Sequence, residues 1–345
     1  MVAPLGGLPL PVGGGSRADG ILSGPGGMTV AFHSHTLTFR GSENALWDYA
    51  RMNETILGNQ SILCCRMRPD LETNPVFQKW KSRFPVIAYS SRVQLGLCLK
   101  ERGVEVLYMI KAGCYDGFLV RGLRNAVHAM FPTGEFHGDA FAFVSPWVSR
   151  VMTGRLDSFV PHLVPRLDSG KSLRSALGIS EGVRVFGRHG AKDTFNIPFA
   201  QKAVLRHAQR YPADHFLFLN TEPIPGSLHL PNIHYLPATN DSAAKAAFLA
   251  SCDAMLHARW HGETFGLAVA EFAVLGKPVF TFGGSRERAH LELLGDCGRV
   301  YESQAQLEKM LANFQRDPGR DCPYGRFAKE STVMDYFQRK FLQTT

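Results

Sequence analysis

The sequence predicts an α/β protein built from two doubly wound parallel-sheet domains that face each other across a cleft. Three observations carry this. A chain of 345 residues exceeds the size at which a single apolar core stops growing, so two compact units are expected. Its 45% hydrophobic and 20% charged residues fill such cores and still leave a wettable surface. Short runs of strand formers alternate with segments of helical period, which is the pattern of βαβ units on a parallel sheet.

Residues 1–27 hold a Gly/Pro-rich stretch that supplies nothing to pack and is expected to be disordered, with Met28 a candidate true start. From there "TVAFHS", "QSILCC", "VIAYSS", "VEVLYMI", "NAVHAMF" and "AFAFVS" read as apolar strand-like runs among helical segments such as "SENALWDYARMNETIL" and "RVQLGLCLKERG". They define a first domain over 28–160. The passage "VPHLVPRLDSG" has linker chemistry in its two Val-Pro steps and Gly. A second alternation, from "VRVFGRHG" through "HFLFLN", "SAAKAAFLASCD" and "AMLHA" to "KPVFTF", defines a domain over 161–325. The remainder, 326–345, carries Phe327, Met334, Phe337 and Phe341 near one helical face, suited to packing back across both domains.

Composition narrows the class. Seven cysteines, two of them adjacent (Cys64, Cys65) and none in a C-x-x-C pair, indicate neither a disulfide framework nor a zinc site. No apolar run is long enough to span a bilayer, and the start lacks a secretory signal pattern, so a cytosolic protein is expected. The formal charge of +8 suits nucleic acid, an anionic membrane surface or a phosphorylated ligand. Scattered basic residues without a nucleic-acid-binding signature argue against the first. The segment "NPVFQKWKSRF" is a basic amphipathic helix candidate, open to peripheral membrane contact or to ordinary packing of its apolar face.

In doubly wound folds the ligand lies at the carboxyl ends of the strands, so the loops there are the candidate site. In "TLTFRGSENALWDYA", Arg40 and Gly41 precede a helix with Ser42 placed as its N-cap; the turn serves either an approaching anion or connection alone. "VFGRHGAKD" puts Gly187, Arg188, Gly190 and Lys192 at a strand end, as a diphosphate cradle or a solvated turn. The third loop, "RWHGET", leads into the helix "FGLAVAEFAVLG", whose first amides, on Thr264, Phe265, Gly266 and Leu267, are expected to face the cleft as an anion site. Glu263 precedes that helix, where it caps the first turn or accepts from sugar hydroxyls. Glu271 stands two turns along among Ala, Val and Phe, where a buried carboxylate needs either a basic neighbour or a ligand.

"GETFGLAVAE" resembles the E-x7-E motif of retaining GT-B glycosyltransferases, the group that includes glycogen synthases and bacterial mannosyltransferases. "VFGRHGAK" is similar to their phosphate-binding loop and "FRGSENALWDYA" to their N-terminal turn and helix. The likeness runs in order from Met28 to the C-terminus. It implies a GT-B fold of two Rossmann-like domains, the first taking the acceptor and the second a nucleoside diphosphate sugar. Carried over residue by residue, it implies that Glu263 contacts the transferred sugar and Glu271 the ribose. Arg188 and Lys192, one residue closer together than usual, would hold the diphosphate, Gly41 would lie near it, and His128 would stand beside the donor sugar unless it is structural.

The expected reaction is hexosyl transfer to a glycan, lipid-linked or protein-linked hydroxyl with retention of configuration. No D-x-D carboxylate pair occurs in the motifs, so no metal and no other cofactor is expected; cations and a helix N-terminus would offset the leaving charge. A nucleotide-sugar epimerase or phosphorylase on the same fold, and a nucleotide-sugar-binding protein without turnover, are the alternatives.

Overall fold

The computed structural model describes residues 27–38, 41–239, 241–316 and 321–343. Arg40 and the Gly/Pro-rich start up to residue 26 lie outside the described residues. The first half comprises β1 (Thr29–Ser34), α1 (Gly41–Thr55), β2 (Gln60–Arg66), α2 (Pro75–Lys81), β3 (Val86–Tyr89), α3 (Arg92–Glu101), β4 (Val106–Lys111), β5 (Arg124–Ala129), β6 (Ala140–Phe143) and α4 (Pro146–Thr153). Its strands form one parallel sheet in the order β3-β2-β1-β4-β5-β6. The second half comprises β7 (Val185–Arg188), α5 (Pro198–Arg210), β8 (His215–Leu219), β9 (Ile233–Leu236), α6 (Ser242–Ser251), β10 (Ala254–His257), β11 (Gly262–Glu263), α7 (Leu267–Ala273), β12 (Val279–Phe282), β13 (Glu287–Arg288), α8 (Ala289–Leu294), β14 (Gly298–Tyr301), α9 (Gln304–Ala312) and α10 (Glu330–Phe337). Its main sheet runs β14-β12-β10-β7-β8-β9, and β11 pairs with β13 in a small sheet of its own.

The strands are apolar on both faces, as a sheet covered by helices on both sides requires. Along β4, Val106, Tyr108 and Ile110 join one apolar cluster while Leu107 and Met109 join another across the sheet. In β8, Leu217 and Leu219 alternate in the same way with Phe216 and Phe218. The two faces differ in what covers them. One large cluster is continuous from Phe32 and Tyr49 of the first half through Phe265 and Val269 of the second to Phe337 and Phe341. The C-terminal segment closes it: Phe337 stacks 5.1 Å from Tyr49, and Phe327 packs 6.0 Å from Phe265. The two halves are thereby joined over apolar surface.

Local rules set the helix starts. Asn74 accepts hydrogen bonds from the amides of Val76 and Phe77, with Pro75 at the first helical position, a cap that contributes about 1 kcal/mol. The same helix, α2, sends Val76, Phe77 and Trp80 into the core, so its apolar face is spent on packing rather than on a membrane. No described helix is long and apolar enough to cross a bilayer. Helix α1 begins at Gly41, which moves Ser42 from the expected cap position into the first turn.

Candidate active site

The strand order of each sheet reverses at one point, and there the loops diverge to leave a crevice. In the second sheet the reversal falls between β10 and β7. Arg188 ends β7, His257 ends β10 and Glu263 follows six residues later. Gly41 of the first half closes on this point: a Cβ built there would stand 3.5 Å from Leu267 at the start of α7. The carboxyl edges of the two sheets therefore face each other.

Pairing of β11 with β13 holds Glu263 in extended backbone immediately before α7. Glycines on either side make this possible. Gly262 has φ of 72° and would drive any Cβ to 2.0 Å from the carbonyl of Glu287, and Gly266 has φ of 86°. Only Gly tolerates that combination. The side chain of Glu263, 20% exposed, accepts from Arg259 at 2.8 Å and meets His257 Nε2 at 3.3 Å. Burial alone would raise its pKa, but His257 and Arg259 outweigh it and hold the carboxyl at about 2. The residue is a carboxylate at any working pH.

A layer of hydrogen bonds sits beneath. His257 Nδ1 lies 2.8 Å from Thr281 Oγ1, which in turn lies 3.1 Å from His290 Nε2. His257 is thus tied through one ring nitrogen to Thr281 and through the other to Glu263, which fixes the plane of its imidazole. Burial, then the neighbouring His257, depresses His290 to about 3, so it is neutral.

Glu271 is 4% exposed and its carboxylate receives Lys245 Nζ of α6 at 2.5 Å. His189 Nε2 stands 3.1 Å from the other oxygen, within ion-pair distance but outside hydrogen-bond geometry. Burial opposes ionisation here too, and His189 with Lys245 overcomes it to lower the pKa. Glu271 therefore has the basic neighbours that its apolar surroundings demand, and it stays charged.

Several sequence expectations are corrected. Arg188 is 3% exposed, and its four terminal N–H bonds are committed to protein oxygens: Asn220 O and Thr221 Oγ1 on one nitrogen, Ala191 O and Thr194 Oγ1 on the other. It braces two loops and lies near Glu263 as a buried charge, lowered by burial to about 10, rather than offering a free fork to a diphosphate. Gly187 is needed for packing: a Cβ there would come 2.3 Å from Cys252 Sγ and 3.1 Å from Phe272 Cζ. His128 is fully buried, with Nδ1 2.7 Å from Tyr108 Oη and Nε2 2.9 Å from Val160 O, so neither nitrogen is left for a ligand. The start of α7 also moves. Of the four amides expected to open the helix only Leu267 belongs to it; Thr264 and Phe265 lie in the preceding bend and Gly266 is its cap. Phe265 is turned inward against Tyr324 and His162, and its carbonyl accepts from the Tyr324 hydroxyl. Lys192 is exposed, and the described residues give its ammonium no ion pair.

Missed by sequence reasoning were His257, Arg259, His189 and Lys245. Lys245 had a signal: it is the one charge in the apolar run "SAAKAAFLAS", the counterpart of the lone Glu271 in α7.

With this geometry in place, likeness to solved structures identifies the fold. A glycosyltransferase from Rickettsia africae superposes with a TM-score of 0.63 at 11% identity, covering 91% of this chain and 94% of that one. HepE from Anabaena in complex with UDP gives 0.62 at 14%, covering 91% and 96%. UDP-GlcNAc 2-epimerase from Neisseria meningitidis bound to UDP-GlcNAc gives 0.58 at 11%, covering 90% and 100%. No protein-family model and no curated protein matches the sequence. The fold is the two-domain α/β GT-B fold.

Proposed function

We propose that the protein is a retaining, metal-independent hexosyltransferase that uses a nucleoside diphosphate sugar as donor and a glycan, lipid-linked or protein-linked hydroxyl as acceptor. The observation that carries this reading is the carboxylate pair Glu263 and Glu271 at the carboxyl edge of the second sheet. Glu271 is buried and Glu263 largely so, each is kept ionised by basic neighbours, and they stand eight residues apart along one loop and helix. Structural ion pairs rarely need two such arrangements side by side, whereas perturbed carboxylates in a cleft are what a polyol ligand and its ribose would engage. UDP bound by the HepE structure favours uridine as the base.

In this reading Glu263 accepts from hydroxyls of the transferred sugar and Glu271 from those of the ribose. Lys192 reaches the diphosphate, and Arg188 adds its field from beneath the loop it braces. The acceptor oxygen bonds to the anomeric carbon on the face from which the carbon–oxygen bond to the diphosphate breaks. Its proton passes to the departing phosphate oxygen, and the two cations offset the charge that develops there. His128 takes no part.

The likeness to UDP-GlcNAc 2-epimerase favours one second reading, a nucleotide-sugar epimerase. Incubation with UDP-glucose and UDP-GlcNAc, followed by product analysis, separates the two. Nucleoside diphosphate released in step with a glycosylated product supports transfer, and an isomerised nucleotide sugar with no acceptor product supports epimerisation.

A further inference from the structure

All seven cysteines are free thiols, and their surroundings separate one pair from the rest. Cys64 and Cys65, adjacent on β2, join apolar clusters on opposite faces of the first sheet, so their thiols face apart. Cys98 shares the cluster of Cys64, but no hydrogen bond joins the two. Cys252 is bonded to Phe248 O, and Cys114 stands exposed. Cys297 and Cys322 are 25 residues apart in sequence, yet the Cys297 thiol donates to the Cys322 sulfur. Backbone packing brings them together. Cys297 ends the turn Gly295–Cys297 and Cys322 precedes the turn Pro323–Ala328, and a Cβ built on Gly295 would stand 3.0 Å from the Pro323 ring.

The two thiols are unequal, as an attacking and a resolving cysteine are. Cys297 is 2% exposed, and burial, then the neighbouring Cys322, pushes its thiol up to about 12. Cys322 is half-buried. Burial raises it as well, while the amides of Gly325 and Tyr324 and the Cys297 thiol favour its thiolate. Cys322 is therefore the sulfur that a small reagent reaches and the one that ionises first. Both thiols stay mainly protonated at neutral pH, so bridging takes minutes to hours rather than seconds. What the bridge would hold is the segment that joins the two halves. Just past Cys322, the Tyr324 hydroxyl donates to Phe265 O and Phe327 packs on Phe265, while Val164 N donates to Phe327 O at 3.0 Å. A bond from Cys297 to Cys322 anchors one end of this segment and stiffens the backing of the bend between Glu263 and α7.

We propose that Cys297 and Cys322 are a disulfide-forming pair whose oxidation fastens the C-terminal segment to the second half. The oxidant is a low-molecular-weight disulfide. The Cys322 thiolate attacks one of its sulfurs, which gives a mixed disulfide and releases one thiol. Cys297 then gives up its proton and attacks the Cys322 sulfur, and the second thiol leaves. In total the two cysteines lose two electrons and two protons, and the sulfur–sulfur bond of the reagent takes them up as two thiols. The chemistry is independent of the transferase reading.

The test is incubation of the folded full chain with oxidised glutathione, followed by alkylation of the remaining thiols, peptide mass spectrometry and thermal melting. The result expected is a single bridge, between Cys297 and Cys322, with a Tm raised by roughly 4 to 8 °C and restored by a thiol reductant. Cys114→Ser removes the exposed thiol that glutathione would otherwise occupy, and should bridge and gain stability as the wild type does. Cys322→Ser should form no bridge and show no rise in Tm, and Cys297→Ala should stop at the mixed disulfide on Cys322. No bridged peptide after days of incubation, or a mixed disulfide on Cys322 that persists in the wild type, would overturn the proposal. So would a bridge that forms only in urea, or one that leaves Tm unchanged or lower.

Discussion

Replacing Gly187 by alanine tests whether this glycine serves packing or a ligand. The added methyl would stand 2.3 Å from Cys252 Sγ, 3.0 Å from Cys252 Cβ and 3.1 Å from Phe272 Cζ. Cys252 is 2% exposed and Phe272 fully buried, and the thiol is anchored by its bond to Phe248 O at 3.2 Å, so neither can swing into solvent. Overpacking of this kind costs roughly 1 to 3 kcal/mol, and the short sulfur contact puts Gly187→Ala near the top of that range. For domains of this size each kcal/mol lowers Tm by about 2 to 4 °C. Cys252→Ala removes the sulfur and alone costs about 1 kcal/mol. Combined, the two should cost less than their sum, because the methyl then occupies the space the sulfur vacates; the rescue stays partial since the Cβ of residue 252 remains. Urea unfolding of the four proteins, with nucleotide binding measured in parallel, gives the coupling directly. Strictly additive losses, or an unchanged Tm together with lost nucleotide affinity, would refute the packing argument.

Glu263→Gln should reduce turnover at least a hundredfold while circular dichroism and nucleotide binding stay close to wild type; steady-state kinetics check it. The same variant reports on pH. Because folding depresses Glu263 from the ordinary carboxylate range to about 2, its contribution is present above about pH 4.5 and is lost as pH falls through 2. The stability gap between wild type and variant, about 3 kcal/mol at neutral pH by linkage, should shrink across that window; a gap that is flat with pH contradicts the assigned contacts. Lys245→Met leaves Glu271 with His189 alone, and should lower stability by about 1 to 3 kcal/mol. Adding Glu271→Gln should restore the Tm but not nucleotide affinity, as melting and calorimetry would read.

The sheets were legible because their strands are short, doubly apolar and separated by helical periods, a pattern written locally. The carboxylate pair was legible for the opposite reason, as charge where the local pattern allows none. What the sequence hid depends on distant partners. The start of α7 is displaced because β11 is held extended by β13, more than twenty residues away. Arg188 looked like an open cation because the oxygens it serves at Asn220 and Thr221 come from another loop. Gly187 looked like a point of ligand approach because Cys252 and Phe272, which crowd it, lie far along the chain. His128 was ambiguous until Tyr108 and Val160 claimed its two nitrogens.

The most direct test of the central claim is thermal melting of the full chain against UDP, GDP and ADP, with magnesium and with chelator. A ligand at a hundred times its Kd stabilises by about 2.7 kcal/mol. The account predicts that one of them, UDP foremost, raises Tm by several degrees equally under both conditions, and that Glu271→Gln abolishes the shift. No shift with any nucleotide, or a shift that survives Glu271→Gln, would contradict it.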